Sequence, residues 1–177
     1  MEQDQGRIAD IGARIKLIEA GNRTNELEHT LKTLEPQLVA SVRDTVRSFS
    51  EAEGLFEVLF WQLKKHGAGI RSATAWRGGH SSRAIDCEAM VFLDRPIPGT
   101  EKVRVYRQPG CQRACLIHEG DDDASYTRAY ADTRRWIASN GYLVSGAKRE
   151  VYLQDGDESK GLTGISEIQY PVEIAKD

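Results

Sequence analysis

Apolar residues recur along this chain at two periods, about every three to four residues in some segments and about every second residue in others. Four isoleucines near the N terminus have the helical period: Ile8, Ile11, Ile15 and Ile18. This spacing predicts a short amphipathic helix, and a helix of that length is marginal on its own. We therefore expect residues 1–22 to form a dimerisation helix that pairs with a second copy of the chain.

Longer segments downstream predict the rest of the secondary structure. Two of them have helical spacing, residues 51–66 and 125–139. Others predict strands through two-residue alternation or their content of β-branched and aromatic residues: 27–33, 37–44, 72–76, 84–93, 102–106, 112–118, 148–153 and 165–173.

The order strand, helix, strand, strand occurs twice in this series. It predicts an α+β domain over residues 26–177, in which two similar halves share one antiparallel sheet. The two helices would cover one face of the sheet. The other face, or a groove between the halves, would be available for a ligand.

Charge and composition exclude several classes of function. The formal net charge of the 177 residues is -3, so the chain has no overall basic field for DNA or RNA. It has no apolar run of about 20 residues that could span a membrane, and its start does not resemble a secretory signal. With an odd number of cysteines, Cys87, Cys111 and Cys115, we expect reduced thiols and a cytoplasmic protein.

A carboxylate lies beside an aromatic residue on the predicted strand 148–153. Two-residue geometry places Glu150 and Tyr152 on one face of this strand and Val151 on the other. Such a pair can contribute to a site for a cationic or aromatic small molecule. The alternative interpretation is an ordinary glutamate that faces solvent.

Other polar and aromatic residues have simpler structural explanations. Residues 121–123 are three aspartates before a predicted helix, where acids satisfy free amides and complement the helix dipole, and we expect no metal site. His80 and His118 have no nucleophile at a recognisable spacing. We interpret Phe60 and Trp61 as core residues, and Tyr126, Tyr130 and Trp136 at helical spacing are more typical of packing than of ligand contacts.

Several motifs occur together in one order. They are residues 115–120 (CLIHEG), the helix end and turn at 136–142, residues 149–153 (REVYL) and 167–172 (EIQYPV), with residues 31–41 (LKTLEPQLVAS) in the first half. In this combination the chain resembles the gyrase-inhibitor-like small-molecule-binding domain, as found in MerR-family multidrug-responsive transcription regulators. Two features differ: no winged helix-turn-helix that would bind DNA is evident in this chain, and Asp121–Asp123 occupy positions where the family commonly has Pro-Tyr.

The resemblance implies a drug-binding pocket with a buried glutamate at its floor, and Glu150 matches that position. Aromatic residues would line the pocket, and the counterparts by position are Tyr126, Tyr170, Trp76 and Phe49. Tyr152 shares a strand face with Glu150 and is added to this set. No cofactor is implied.

Three functions are compatible with the resemblance. The first is the effector-binding domain of a MerR-type regulator that binds hydrophobic or cationic aromatic compounds. The second is a hydrolase of cyclopropane-bearing DNA-alkylating compounds, with Glu150 as a general base. The third is a module that binds and inhibits a partner protein such as gyrase.

Overall fold

The computed structural model describes residues 28–67, 71–77 and 84–176. The described strands are β1 (His29–Leu34), β2 (Gln37–Val46), β3 (Ser72–Arg77), β4 (Ile85–Phe92), β5 (Arg104–Gln108), β6 (Cys111–Glu119), β7 (Tyr142–Val144), β8 (Lys148–Gln154) and β9 (Ile165–Ile174). The described α-helices are α1 (Ala52–Lys64) and α2 (Asp123–Ser139). Short 3-10 turns precede α1 and follow β8.

All strand pairs in the sheet are antiparallel, in the order β1-β6-β9-β8-β3-β4-β2-β5, and β7 pairs with β9. Outward from the centre, where β3 pairs with β8, the order is β3, β4, β2 on one side and β8, β9, β6 on the other. β5 and β1 form the two edges of the sheet. The predicted duplication is compatible with this order but stays a prediction.

Both helices pack on the same face of the sheet. Residues directly opposite each other on paired strands point to the same side, and one such row crosses six strands: Leu116, Ile168, Glu150, Thr74, Ala89 and Val42. Its ends belong to two apolar clusters, one beneath α2 and one beneath α1. Glu150 and Thr74, at the middle of the row, lie between the two helices.

The opposite face of the sheet is concave and closed by a buried arginine. Arg149 on β8 is 2% exposed and donates hydrogen bonds to Gln169 on β9, Gln37 on β2 and Gln108 on β5. β5 is four strands away from β8, about 19 Å in a flat sheet. Arginine and glutamine side chains cannot bridge that distance, so the sheet curls until its edge approaches β8.

The structure confirms the predicted elements over residues 28–176 with small shifts at their ends. The three-residue strand β7 was not predicted, because it is too short to show a period. The predicted N-terminal helix lies outside the described residues, so it stays a prediction, as does the domain boundary after it. Among the described helices, none is long and apolar enough to cross a membrane.

The Arg149 contacts generate a stability prediction. Arg149→Ala leaves three glutamine carbonyl groups without their donor, and we expect it to lower the free energy of unfolding by about 3 kcal/mol or more. Urea unfolding followed by circular dichroism would measure the change. Arg107→Ala, at an exposed position on β5, is the control and should change stability little. Equal losses in the two variants would contradict the role of Arg149 in closing the sheet.

Candidate functional site

A cavity of about 690 Å³ lies between the two helices, above the centre of the sheet. Its aromatic and apolar lining comes from the segment before α1, from both helices and from β3 and β8: Phe49, Ala52, Phe56, Phe60, Trp76, Tyr126, Tyr130, Tyr152 and Leu153. Its acidic lining consists of Glu53, Glu57, Asp121, Asp123, Glu150 and Asp155. A volume of this size suits a drug-sized molecule.

Glu150 forms the floor of the cavity, together with two tyrosines. Its side chain is on the helix-covered face of β8, and the residue is 5% exposed. The Tyr130 hydroxyl of α2 donates a hydrogen bond to Oε1 of Glu150. The Tyr152 hydroxyl lies 3.5 Å from Oε2 and 2.8 Å from the Thr74 hydroxyl on β3. The carboxylate is therefore held by phenol groups and has no basic partner among the described ion pairs.

Burial raises the pKa of Glu150 to about 7. The nearby Trp76 and Tyr152 side chains oppose this shift, because they favour the ionised carboxylate, but desolvation is the larger effect. Near neutral pH, a substantial fraction of the molecules therefore carries a protonated Glu150. A cation placed in the cavity would stabilise the ionised form.

Aromatic rings make contact with one another around this floor. Phe49 meets Trp76 edge-to-face with 4.8 Å between the ring centroids. Phe56 lies edge-on to Tyr152 at 6.2 Å, and Tyr126 is tilted towards Tyr130 at 5.9 Å. These contacts fix the rings in place and leave aromatic surface facing the cavity.

Two buried neighbours support the walls without lining the cavity. His118 packs its ring 4.2 Å from that of Tyr126, and its Nε2 lies 3.2 Å from the Ser125 hydroxyl. Burial lowers the pKa of His118 and so favours the neutral imidazole. Lys148 Nζ lies 4.2 Å from the centroid of the Tyr130 ring, a cation–π contact beside the phenol that donates to Glu150.

The acids before α2 have structural roles. Asp122 is the N-cap of α2 and accepts a hydrogen bond from the Ser125 amide at 2.8 Å, which confirms the structural interpretation of this residue. Asp121 accepts from the Gly164 amide at 3.0 Å. A Cβ at Gly164 would come within 2.0 Å of this carboxylate, so glycine is required where the loop after β8 passes Asp121. In the described part of the chain, no three metal-ligating side chains come together.

Five of the six residues predicted to line the pocket do line this cavity: Glu150, Tyr152, Tyr126, Trp76 and Phe49. Tyr170 does not; it is buried in the apolar cluster beneath α2, on a strand that the helix covers. Ligand contact by the other five stays a prediction. The interpretation of Glu150 as solvent-facing is wrong, because the residue is buried.

Sequence reasoning missed Phe56 and Phe60 as lining residues and favoured packing over ligand contact for Tyr130, which also lines the cavity. The interpretation of Phe60 and Trp61 as core residues is wrong, since they are 44% and 66% exposed. Leu59 and Leu63 occupy the sheet-facing side of α1 instead. A separate stripe at i, i+3 and i+4 spacing, formed by Glu53, Phe56, Glu57 and Phe60, faces the cavity. That second stripe was the signal available in the sequence.

A curled antiparallel sheet with two helices and an aromatic, acidic cavity between them defines a small-molecule-binding domain. The chain belongs to the family of GyrI-like small molecule binding domains, whose model matches residues 27–173. No curated protein matches the chain.

Solved structures share this fold. The C-terminal domain of EcmrR is 23% identical, with a TM-score of 0.76, covering 84% of this chain and 99% of that one. EcmrR in its DNA complex is 23% identical, with a TM-score of 0.73, and the match covers 98% of this chain and 69% of that one. A hydrolase from Listeria innocua is 11% identical, with a TM-score of 0.61 and coverage of 89% and 98%.

The raised pKa of Glu150 predicts a pH-dependent cost to stability. Because the folded state binds this proton more tightly than the unfolded chain, stability falls as the pH rises from about 4.5 to above about 7. We expect Glu150→Gln to be more stable than the wild type by up to about 3 kcal/mol near pH 8 and to lose this advantage below about pH 4.5.

Urea unfolding at several pH values would measure this difference. Glu101→Gln, at an exposed position outside the cavity, is the control and should change stability little. A Glu150→Gln variant that is equally destabilised at all pH values would contradict the proposed cost of ionisation.

Proposed function

We propose that this domain is the effector-binding domain of a MerR-type transcription regulator and that it binds hydrophobic, cationic aromatic molecules. The observation that carries the proposal is the buried carboxylate of Glu150 at the floor of an aromatic cavity. Membership of a small-molecule-binding family supports a ligand in this cavity. The shared fold with EcmrR, a MerR-family protein solved in complex with DNA, supports the regulatory context.

The chemistry of the cavity favours cations over neutral molecules. A positive charge at about 4 Å from Glu150 gains on the order of 4 kcal/mol at an effective dielectric of about 20, before desolvation is counted. Each aromatic face adds about 0.5 to 2 kcal/mol through cation–π contact. SAV2435, which has a related fold (16% identity, TM-score 0.50), was solved with tetraphenylphosphonium, an aromatic cation of this kind.

A permanent cation requires the ionised form of Glu150. Because the pKa of the free site is about 7, binding at lower pH must displace a proton. The affinity for such a cation should therefore rise as the pH increases from about 6 to about 8 and then level off. A neutral aromatic ligand has no reason to follow this dependence.

Glu150→Gln tests the proposal. We expect it to weaken tetraphenylphosphonium binding by about a hundredfold near pH 8, to abolish the rise with pH, and to leave binding of the neutral triphenylphosphine oxide nearly unchanged. Isothermal titration calorimetry would measure both ligands, with Glu101→Gln as the control. Equal losses for the cation and the neutral ligand would remove Glu150 from the role of charge partner.

One observation supports a second candidate, a hydrolase. A carboxylate whose pKa is about 7 is suited to act as a general base near neutral pH, and proteins of this fold from Listeria innocua are described as hydrolases. Cys87 is not a candidate nucleophile, because burial raises the pKa of its thiol to about 12.

The hydrolase candidate predicts turnover. On incubation with a cyclopropane-bearing alkylating compound, chromatography should show time-dependent loss of substrate beyond one equivalent, and Glu150→Gln should abolish this loss. Tyr152→Phe should slow it if the phenol assists. Stoichiometric, fully reversible binding by the wild type would exclude hydrolysis of that compound and favour the sensor.

A further inference from the structure

The mouth of the cavity carries a second set of negative charges, separate from Glu150. We call the exposed acids Glu53, Glu57, Asp123 and Asp155 the mouth acids. Glu53 and Glu57 are one turn apart on α1, Asp123 is the first residue of α2, and Asp155 follows directly after β8. They approach the cavity from three elements, whereas Glu150 lies buried at its floor.

Among the described residues, the mouth acids have no basic partner. In residues 28–67, 71–77 and 84–176, none of their side chains takes part in a hydrogen bond or an ion pair, and no lysine, arginine or histidine lines the cavity. Asp123 also repels the negative charge of Glu150, since its field contributes to the raised pKa of that residue. In a chain whose net charge is only -3, one opening therefore concentrates charge of a single sign.

Helix capping explains only some of these acids. Glu53 and Asp123 lie in the first turns of their helices, where acids complement the dipole. Glu57 is in the second turn of α1 and Asp155 belongs to a loop, so neither has this explanation. Asp121 is engaged with the Gly164 amide and is left out of the set.

We propose that the cavity takes an extended aromatic dication, with one cationic group at Glu150 and the second between the mouth acids. A ligand with a single positive charge at the floor leaves the mouth acids in mutual repulsion, whereas a second positive charge at the opening relieves it. The inference rests on the proposed binding of aromatic cations and adds the number and placement of the charges.

Ethidium and propidium provide a matched pair of probes. Both contain the same phenanthridinium ring, and propidium carries an additional quaternary ammonium on a short chain. By fluorescence titration at low ionic strength, we expect propidium to bind the wild type about tenfold more tightly than ethidium. The preference should shrink as salt is added, because the mouth is exposed to solvent.

The double variant Glu57→Gln/Asp155→Asn tests the second position without touching the helix caps. It should weaken propidium about fivefold and leave ethidium nearly unchanged, whereas Glu150→Gln should weaken both dyes. Asp94→Asn/Glu101→Gln removes the same charge at exposed positions outside the cavity and should leave the preference intact.

The outcomes separate this inference from the proposed function. If propidium binds no more tightly than ethidium, or if both double variants lower its affinity equally, the second position is wrong while the binding of cations stands. If neither dye, nor tetraphenylphosphonium, binds the wild type, the proposed function fails and the inference fails with it.

Discussion

Two buried charges in succession on β8 organise this molecule. Arg149 points into the concave face of the sheet and Glu150 into the helix-covered face, because side chains alternate along a strand. A shift in register of one residue would exchange them, placing the guanidinium beneath the helices and the carboxylate against three glutamines. The register of β8 between β3 and β9 is therefore strongly specified. Both the curl of the sheet and the charge at the floor of the cavity depend on it.

The two charges are stabilised in different ways, and the difference explains which of them is available to a ligand. Arg149 is surrounded by neutral amide oxygens and closes the structure, so its hydrogen-bonding groups are used within the fold. Glu150 accepts hydrogen bonds from phenol groups but has no cationic partner in the part of the chain that the structure describes, so burial shifts its equilibrium towards the protonated form. Functional sites often lower the stability of the free protein. A ligand that supplies the missing positive charge would restore this stability on binding.

The sequence predicted the sheet, the helices and the carboxylate more reliably than the walls of the cavity. Alternation alone was enough to put Glu150 and Tyr152 on one face, and the family resemblance made that face a pocket. Tyr170, proposed from the resemblance, lies outside the cavity lining because α2 covers that part of β9, and neither the resemblance nor the alternation of side chains could show this cover. On α1 the helical spacing was recognised, but the stripe with Phe56 and Phe60 was not distinguished from the core stripe with Leu59 and Leu63. A helix beside a cavity has one apolar side that packs in the core and another that faces the cavity. Both sides have the same helical spacing, so the spacing alone cannot tell which side faces the cavity.

The same geometry bears on the choice between binding and catalysis. A general base needs a free lone pair directed at water or substrate, but Oε1 of Glu150 already accepts from Tyr130. Oε2 is less engaged, with the Tyr152 hydroxyl at 3.5 Å. The described lining of the cavity contains no Cys or His, and its one serine, Ser72, makes no hydrogen bond to this carboxylate. Aromatic surface and further negative charge surround Glu150. This environment stabilises a cationic ligand in the cavity. Binding follows directly from this arrangement, whereas hydrolysis would require the ligand itself to provide a reactive group.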